Sequence, residues 1–356
     1  MSISNELRDV LRRHQAFWQC TEVEKPLVGT SRWPHHSMQD FDWGLSSPEG
    51  TLRPERLVVE HFLPQYEGYY NAKGVLDEDL FWPAMPLRGI PWLEGVMGCP
   101  IHYSIAHGSI FAEPVIHDWN RLPQPDPLPD NPWFQKLVEF IEGLVRLSAG
   151  RFPVVVPVTR GPWDMVGALR GMGNVYLDLY DHPTALTRLA EMCADVWIEA
   201  TQRLADIIPA WYGGYVGIFG VWASRFTPTP QNDLSVSVSP IMYSELMLPA
   251  DGRTAEAWQS PLFHIHSAGV QIVDCVLDML DGRALNIVID PAGPSLDELL
   301  PVFHRVQARQ LPLHLSSNDW EQVEELTAIL SPRGLAITYQ PVTSGGGTKG
   351  AGKNES

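Results

Sequence analysis

The order of patterns in the last hundred residues constrains this chain most. Apolar runs at Leu262–His266, Leu285–Asp290, Leu311–Ser316 and Leu335–Tyr339 alternate with helix-periodic stretches at Val270–Leu280, Ser295–Ala308 and Trp320–Leu330. Runs this apolar suit strands covered on both faces, and the stretches between them repeat at helical spacing. Strand, helix, strand, helix in that order calls for a parallel sheet with its own crossover helices. Further upstream, Pro26–Thr30 and Phe152–Val158 read as buried strands, and Leu234–Ser239 alternates as a strand does. Asn131-Pro132 opens a helical stretch that reaches Leu147, and long helices follow His182-Pro183 and Pro240. With about eight strand candidates, the expectation is an α/β fold closed as a (β/α)8 TIM barrel. Residues 1–20 carry apolar positions at helical spacing, and residues 33–75 read as an irregular N-terminal cap. The expected division is a helix and cap over 1–80, a barrel over 81–343 and a flexible Gly-rich tail over 344–356.

Composition narrows the partners. Of the 356 residues, 44% are hydrophobic and 19% charged, which excludes wholesale disorder. A net charge of −17 argues against a nucleic-acid partner, which needs clustered Lys and Arg. Met1 to Arg13 has no apolar signal region and no run approaches the length of a membrane span, so the reading is a cytoplasmic protein with no membrane partner. The four cysteines, Cys20, Cys99, Cys193 and Cys275, form no CxxC pair and read as small buried hydrophobes in a reducing compartment.

In a barrel, sites gather at the C-terminal ends of the strands. Those ends carry Arg160 and Trp163, His264 and His266, Asp290, His314 with Ser316 and Ser317, and Tyr339 with Gln340. Arg160 suits a bidentate grip on a substrate carboxylate, or equally a salt bridge within the barrel. Trp163, Trp92, Trp82 and Trp222 are candidates for an aromatic wall, with core packing as the alternative. Asp164 reads as a helix cap, and Asp290-Pro291 as a strand-end carboxylate aimed at the site. His35, His36 and Asp40 in the cap look ligand-like, but adjacent side chains rarely face one way.

Several motifs occur in an ordered set. They are Ile90–Pro100 (IPWLEGVMGCP), Gly161-Pro162-Trp163-Asp164, Arg170-Gly171, Asp178–Pro183, Asn232-Asp233, Ser237–Tyr243, His264-Ile265-His266 and Asn286–Asp290. Together, over residues 80–340, they resemble the uroporphyrinogen decarboxylase-like superfamily, which includes cobalamin-linked, zinc-dependent methyltransferases. The decarboxylase pattern departs at four places: its Arg-rich N-terminal motif has no counterpart, with only Arg32 and Trp33 near where it would start, its aspartate falls on Ala84, its tyrosine on about Ala168, and its last loop reads Thr338-Tyr339-Gln340. The methyltransferase pattern of His-x-Cys plus a late cysteine here reads His264-Ile265-His266, with Tyr339 at the late position. Residues two apart on a strand face the same way, so both rings of a His-x-His pair reach one side. The resemblance implies His264, His266 and His314 as ligands of zinc or a similar ion, with Asp290 as a further ligand. Hydrogen bonding of the two histidines in a polar barrel mouth, without metal, is the alternative.

The expected enzyme is a methyltransferase or demethylase acting on a small-molecule substrate, with the corrinoid supplied by a partner protein. Asp290, Arg160 and Tyr339 would be catalytic, and Trp163, Trp92, Trp82 and Arg160 would bind substrate. A homodimer is the expected assembly. Two alternatives stand beside it: decarboxylation of a tetrapyrrole-like or smaller acid, and a non-catalytic barrel that binds a corrinoid or partner.

Overall fold

The computed structural model describes residues 4–31, 42–45 and 47–341. His35, His36 and Asp40, like the 344–356 tail, lie outside the described residues. Five parallel strands form a continuous ladder in the order Leu27–Thr30, Leu335–Tyr339, Leu313–Ser317, Ala284–Val288, Leu262–His266. The last four are almost wholly buried, as the apolar runs required, while Leu27–Thr30 alternates buried and half-buried.

The rest of the circuit is made by chain that never forms a ladder. Backbone N–H groups of Leu262 and His264 bond to the carbonyls of Pro228 and Pro230, and Gln231 bridges to His264. Gly161 packs so close to Gln231 that a Cβ there would lie 1.6 Å from its carbonyl oxygen. Val154 forms a parallel bridge with Ala84, and Asp79 N–H bonds to Val28 on the first strand. Eight segments thus follow one another around the α/β barrel, but its wall is regular on one side only. The cause is proline. Pro83, Pro153, Pro157, Pro228 and Pro230 have no N–H to contribute, so Phe152–Val158 is buried as expected yet pairs through a single bridge.

Helix boundaries follow their caps. The Asn131 side chain accepts from the N–H groups of Trp133 and Phe134 ahead of the helix Pro132–Ser148, and Ser295 with Glu298 forms a capping box before Leu296–Ala308. Two expectations need correction. Leu234–Ser239 is not a strand: Asp233–Ser237 is a 3₁₀ turn, capped when the Asn232 side chain accepts from Ser235 N–H. The 33–75 region is not irregular throughout, because Val59–Lys73 is a helix with Pro64 inside it. The helix following Pro240 contains a π-helical turn, Tyr243–Met247. Among the described residues, no helix is long and apolar enough to cross a membrane.

Candidate metal centre

Register places three polar side chains side by side across the sheet. Asn286 is paired with His264 on one neighbour strand and His314 on the other. The Asn286 carboxamide oxygen accepts from His264 Nδ1, and its Nδ2 donates to His314 Nδ1 at 2.6 Å. With Nδ1 of His314 accepting, its Nε2 carries the proton and donates to Thr338 Oγ1 at 2.7 Å. Both nitrogens of His314 are thereby used inside the barrel. Burial brings its pKa down to about 3, so the ring stays neutral. The structure therefore removes His314 from the ligand set.

Two residues along the strand, His266 donates from Nδ1 to Asp290 Oδ1 at 2.7 Å. The other carboxylate oxygen of Asp290 accepts from Ser267 Oγ and Ala268 N–H. Asp290, read from the sequence as a strand-end site residue and further ligand, holds the Nδ1 side of the His266 ring and leaves Nε2 facing the other way. With the Nδ1 positions engaged, the Nε2 lone pairs of His264 and His266 point together at a residue the ligand expectations omitted. Asp233 Oδ1 lies 3.7 Å from His264 Nε2 and 3.6 Å from His266 Nε2. One ligand atom from each of the three lies within 4.8 Å of the others.

Asp233 is held from behind. Its N–H bonds to Asp164 Oδ1 at 2.9 Å, and Gln231 Nε2 bridges Asp164 Oδ2 and Asp233 Oδ2 at 3.1 Å each. Asp164 caps its helix as expected, accepting from Gly161 N–H, and also ties that helix to the turn at Asp233. Burial, then the nearby Asp233 charge, hold the Asp164 carboxyl well above the usual range. Asp233 Oδ1 itself is shielded from solvent and has no hydrogen-bond partner. An orphaned carboxylate oxygen facing two imidazole lone pairs fits a divalent cation. The separations approach those of donors sharing one tetrahedral ion with bonds of about 2.1 Å. Burial lowers the His264 pKa, whereas the bond to Asp290 raises that of His266.

The triad opens on a cavity of about 430 Å³, walled by Met85, Ile90, Val158, Ile218, Phe219 and Val288, with Arg88 and Arg160 at its polar edge. Phe219 lies beside His264 and His314, with ring centroids 6.0 and 4.8 Å away. Arg160 is engaged with Glu94, Nη1 to Oε1 at 3.4 Å. Its backbone φ of +55 is sparsely populated for a side-chain-bearing residue, and Trp197 Nε1 holds its carbonyl at 2.8 Å. Burial pushes Glu94 up against the opposing pull of Arg160.

The aromatic wall is not where the tryptophans are. Trp163 is fully buried with its indole N–H on the Met247 carbonyl, and Trp92 donates to Leu87 within the core. Trp82 and Trp222 are also core residues, and the cavity's aromatic ring is Phe219. Tyr339 packs against Trp320 outside the cavity lining, where its neighbour Gln340 stands instead. Of the four cysteines expected to be buried, Cys99 and Cys193 are, whereas Cys20 and Cys275 are half-buried. Asp233 was visible in the sequence only as part of the Asn232-Asp233 motif; the polar pair ending a Pro-x-Pro segment was the available signal.

Residues 89–229 match the family described as uroporphyrinogen decarboxylase (URO-D). A solved methyltransferase from Methanosarcina mazei superposes with a TM-score of 0.65 at 12% identity, covering 94% of this chain and 93% of that one. No curated protein matches the chain. The match over residues 89–229 agrees with the resemblance read from the sequence, and the superposition shows a shared α/β barrel fold.

Proposed function

We propose that this barrel is a metal-dependent methyltransferase or demethylase acting on a small substrate, with zinc on Asp233, His264 and His266. The observation that carries this reading is the convergence of two Nε2 atoms, each with its Nδ1 already engaged, on an unpartnered carboxylate oxygen. Asn286 and Asp290 fix the tautomers that leave those lone pairs outward, as carboxylates and carbonyls do behind metal-bound histidines. A bound zinc would supply Lewis acidity, drawing down the pKa of a coordinated thiol or water. Asp164 and Gln231 keep Asp233 in place, and Phe219 with Ile218 lines the cavity onto which the centre opens. A corrinoid carried by a partner protein is the proposed methyl donor or acceptor, in line with the methyltransferase fold. Tetrapyrrole decarboxylation has less support, since Ala84 is buried beside Val154 and presents no carboxylate.

The test is metal stoichiometry after chelator treatment and zinc or Co(II) reloading. One equivalent should bind, and Asp233→Ala, His264→Ala and His266→Ala should each weaken uptake severely. Absence of stoichiometric binding in the folded wild type would sink the metal assignment. The methyl-transfer half is tested separately with methylcobalamin and a thiol, following formation of cob(I)alamin and thioether. A rate no faster than the uncatalysed one across a panel of thiols would refute it.

A further inference from the structure

Arg88 is the unspent charge of this cavity. Among the described residues, part-buried arginines elsewhere have partners: Arg13 pairs with Asp79, Arg170 with Asp178, Arg151 with Glu67 and Arg333 with Glu22, while Arg283 donates to the Trp258 and Leu280 carbonyls. Arg160, in the same cavity, faces Glu94. The Arg88 guanidinium lines the cavity with His264 and His266 but makes no hydrogen bond or ion pair with any described residue. A guanidinium cannot discard its proton to escape burial, so an unpaired one is costly unless something else supplies the counter-charge. Its placement is built into the backbone. Leu87 is fully buried on one side, and Gly89 turns the chain with φ +97 on the other. The positive charge is felt at His264, where it helps to hold the ring neutral.

We infer that Arg88 is the anion anchor of the site, and that the substrate is a small organic molecule bearing a carboxylate or comparable oxyanion. The head sits on Arg88, the apolar body lies against Phe219 and Ile218, and the opposite end reaches the Asp233–His264–His266 centre. Arg160, offered for that role by the sequence, faces Glu94 at 3.4 Å, whereas Arg88 faces no carboxylate of the described residues. A volume of about 430 Å³ suits a compact ligand. The chain's net charge of −17 repels anions at long range, so selection depends on this one local cation. The substrate's far end rests on the metal-centre reading; anion binding at Arg88 does not.

The experiment is calorimetric titration with a series of ω-phenyl carboxylates and their matched amides, on zinc-loaded and on chelator-treated protein. Wild type should bind at least one carboxylate, with its amide about 10- to 100-fold weaker. Arg88→Gln should erase that discrimination, and Arg88→Lys should keep part of it. Circular dichroism and melting temperature establish that each variant is folded. Discrimination that survives in folded Arg88→Gln, or failure of every carboxylate to bind wild type below about 10 mM, overturns the assignment. Discrimination without zinc uptake would retain Arg88 and sink the metal reading; zinc uptake without discrimination would do the reverse.

Discussion

Asp290→Asn is the sharpest probe of how the proposed metal centre is oriented. The carboxylate accepts on both oxygens, from His266 Nδ1 at 2.7 Å on one and from Ser267 Oγ and Ala268 N–H at 3.2 and 3.1 Å on the other. An amide has one acceptor oxygen. If that oxygen stays on Ala268 N–H, the new NH₂ opposes His266 Nδ1–H and drives the proton to Nε2, the atom required as ligand. If it turns to His266, the NH₂ opposes the Ala268 N–H, an unfavourable pairing at the strand end. Partners of this kind behind metal-bound histidines are worth 10- to 100-fold in affinity, or about 1.4 to 2.7 kcal/mol. Competitive titration of zinc against a chromophoric chelator at pH 7.5 measures it directly. His314→Leu is the control: its nitrogens face Asn286 and Thr338, so its loss should move the melting temperature far more than zinc affinity. A folded Asp290→Asn with wild-type zinc affinity would refute the tautomer argument.

Three further outcomes are expected. His14 is fully buried between the Asp79 carbonyl and Trp222 N–H, and burial holds its pKa at about 4. The folded state then binds fewer protons than the unfolded one, so stability is complete above about pH 6.5 and falls toward pH 4, by about 3 kcal/mol from this residue. Urea melts across that range should show the loss, with a shallower slope in His14→Gln; an equal slope would contradict it. Asp251 is buried with Oδ1 unpartnered, and burial raises its pKa to about 7 although Asn232 and Tyr243 donate to Oδ2. Here the sign reverses: ionisation costs folding as pH rises. Asp251→Asn, which can keep both donors, should therefore gain on wild type from pH 4 to 7 and level off above, a pattern that parallel melts would reveal or exclude. Gly161→Ala would put a Cβ 1.6 Å from the Gln231 carbonyl, backbone against backbone. It should cost at least about 2 kcal/mol and weaken zinc binding through the displaced Gln231 and Asp233; near-native stability would show that the seam can relax.

Where local pattern and burial agree, the chain is legible from its order of residues. The strands at Leu262–His266, Ala284–Val288, Leu313–Ser317 and Leu335–Tyr339 are apolar because both faces are covered, and that demand appears directly in the sequence. The period of two likewise places His264 and His266 on one side of the sheet. Segments rich in proline were harder to place. Phe152–Val158 has a strand's composition without a strand's donors, and Leu234–Ser239 alternates although Asn232 caps it into a turn.

What only the tertiary structure decided is which side chains meet. Sequence determined the barrel, its acidic surface and the same-face histidine pair. It offered both His314 and Asp290 as further ligands, because both stand at strand ends and strand-end position does not distinguish a ligand from a partner behind one. Register adds what the pattern lacked: Asn286 lies level with both His264 and His314, so it draws His314 into an internal hydrogen-bond chain and turns His264 outward. Asp233 arrives from a segment outside the regular ladder, and Arg88 from a glycine turn far upstream. Nothing in a linear pattern joins residues 88, 233 and 264–266. Closure of the chain around a single barrel does, because it carries distant segments to one rim.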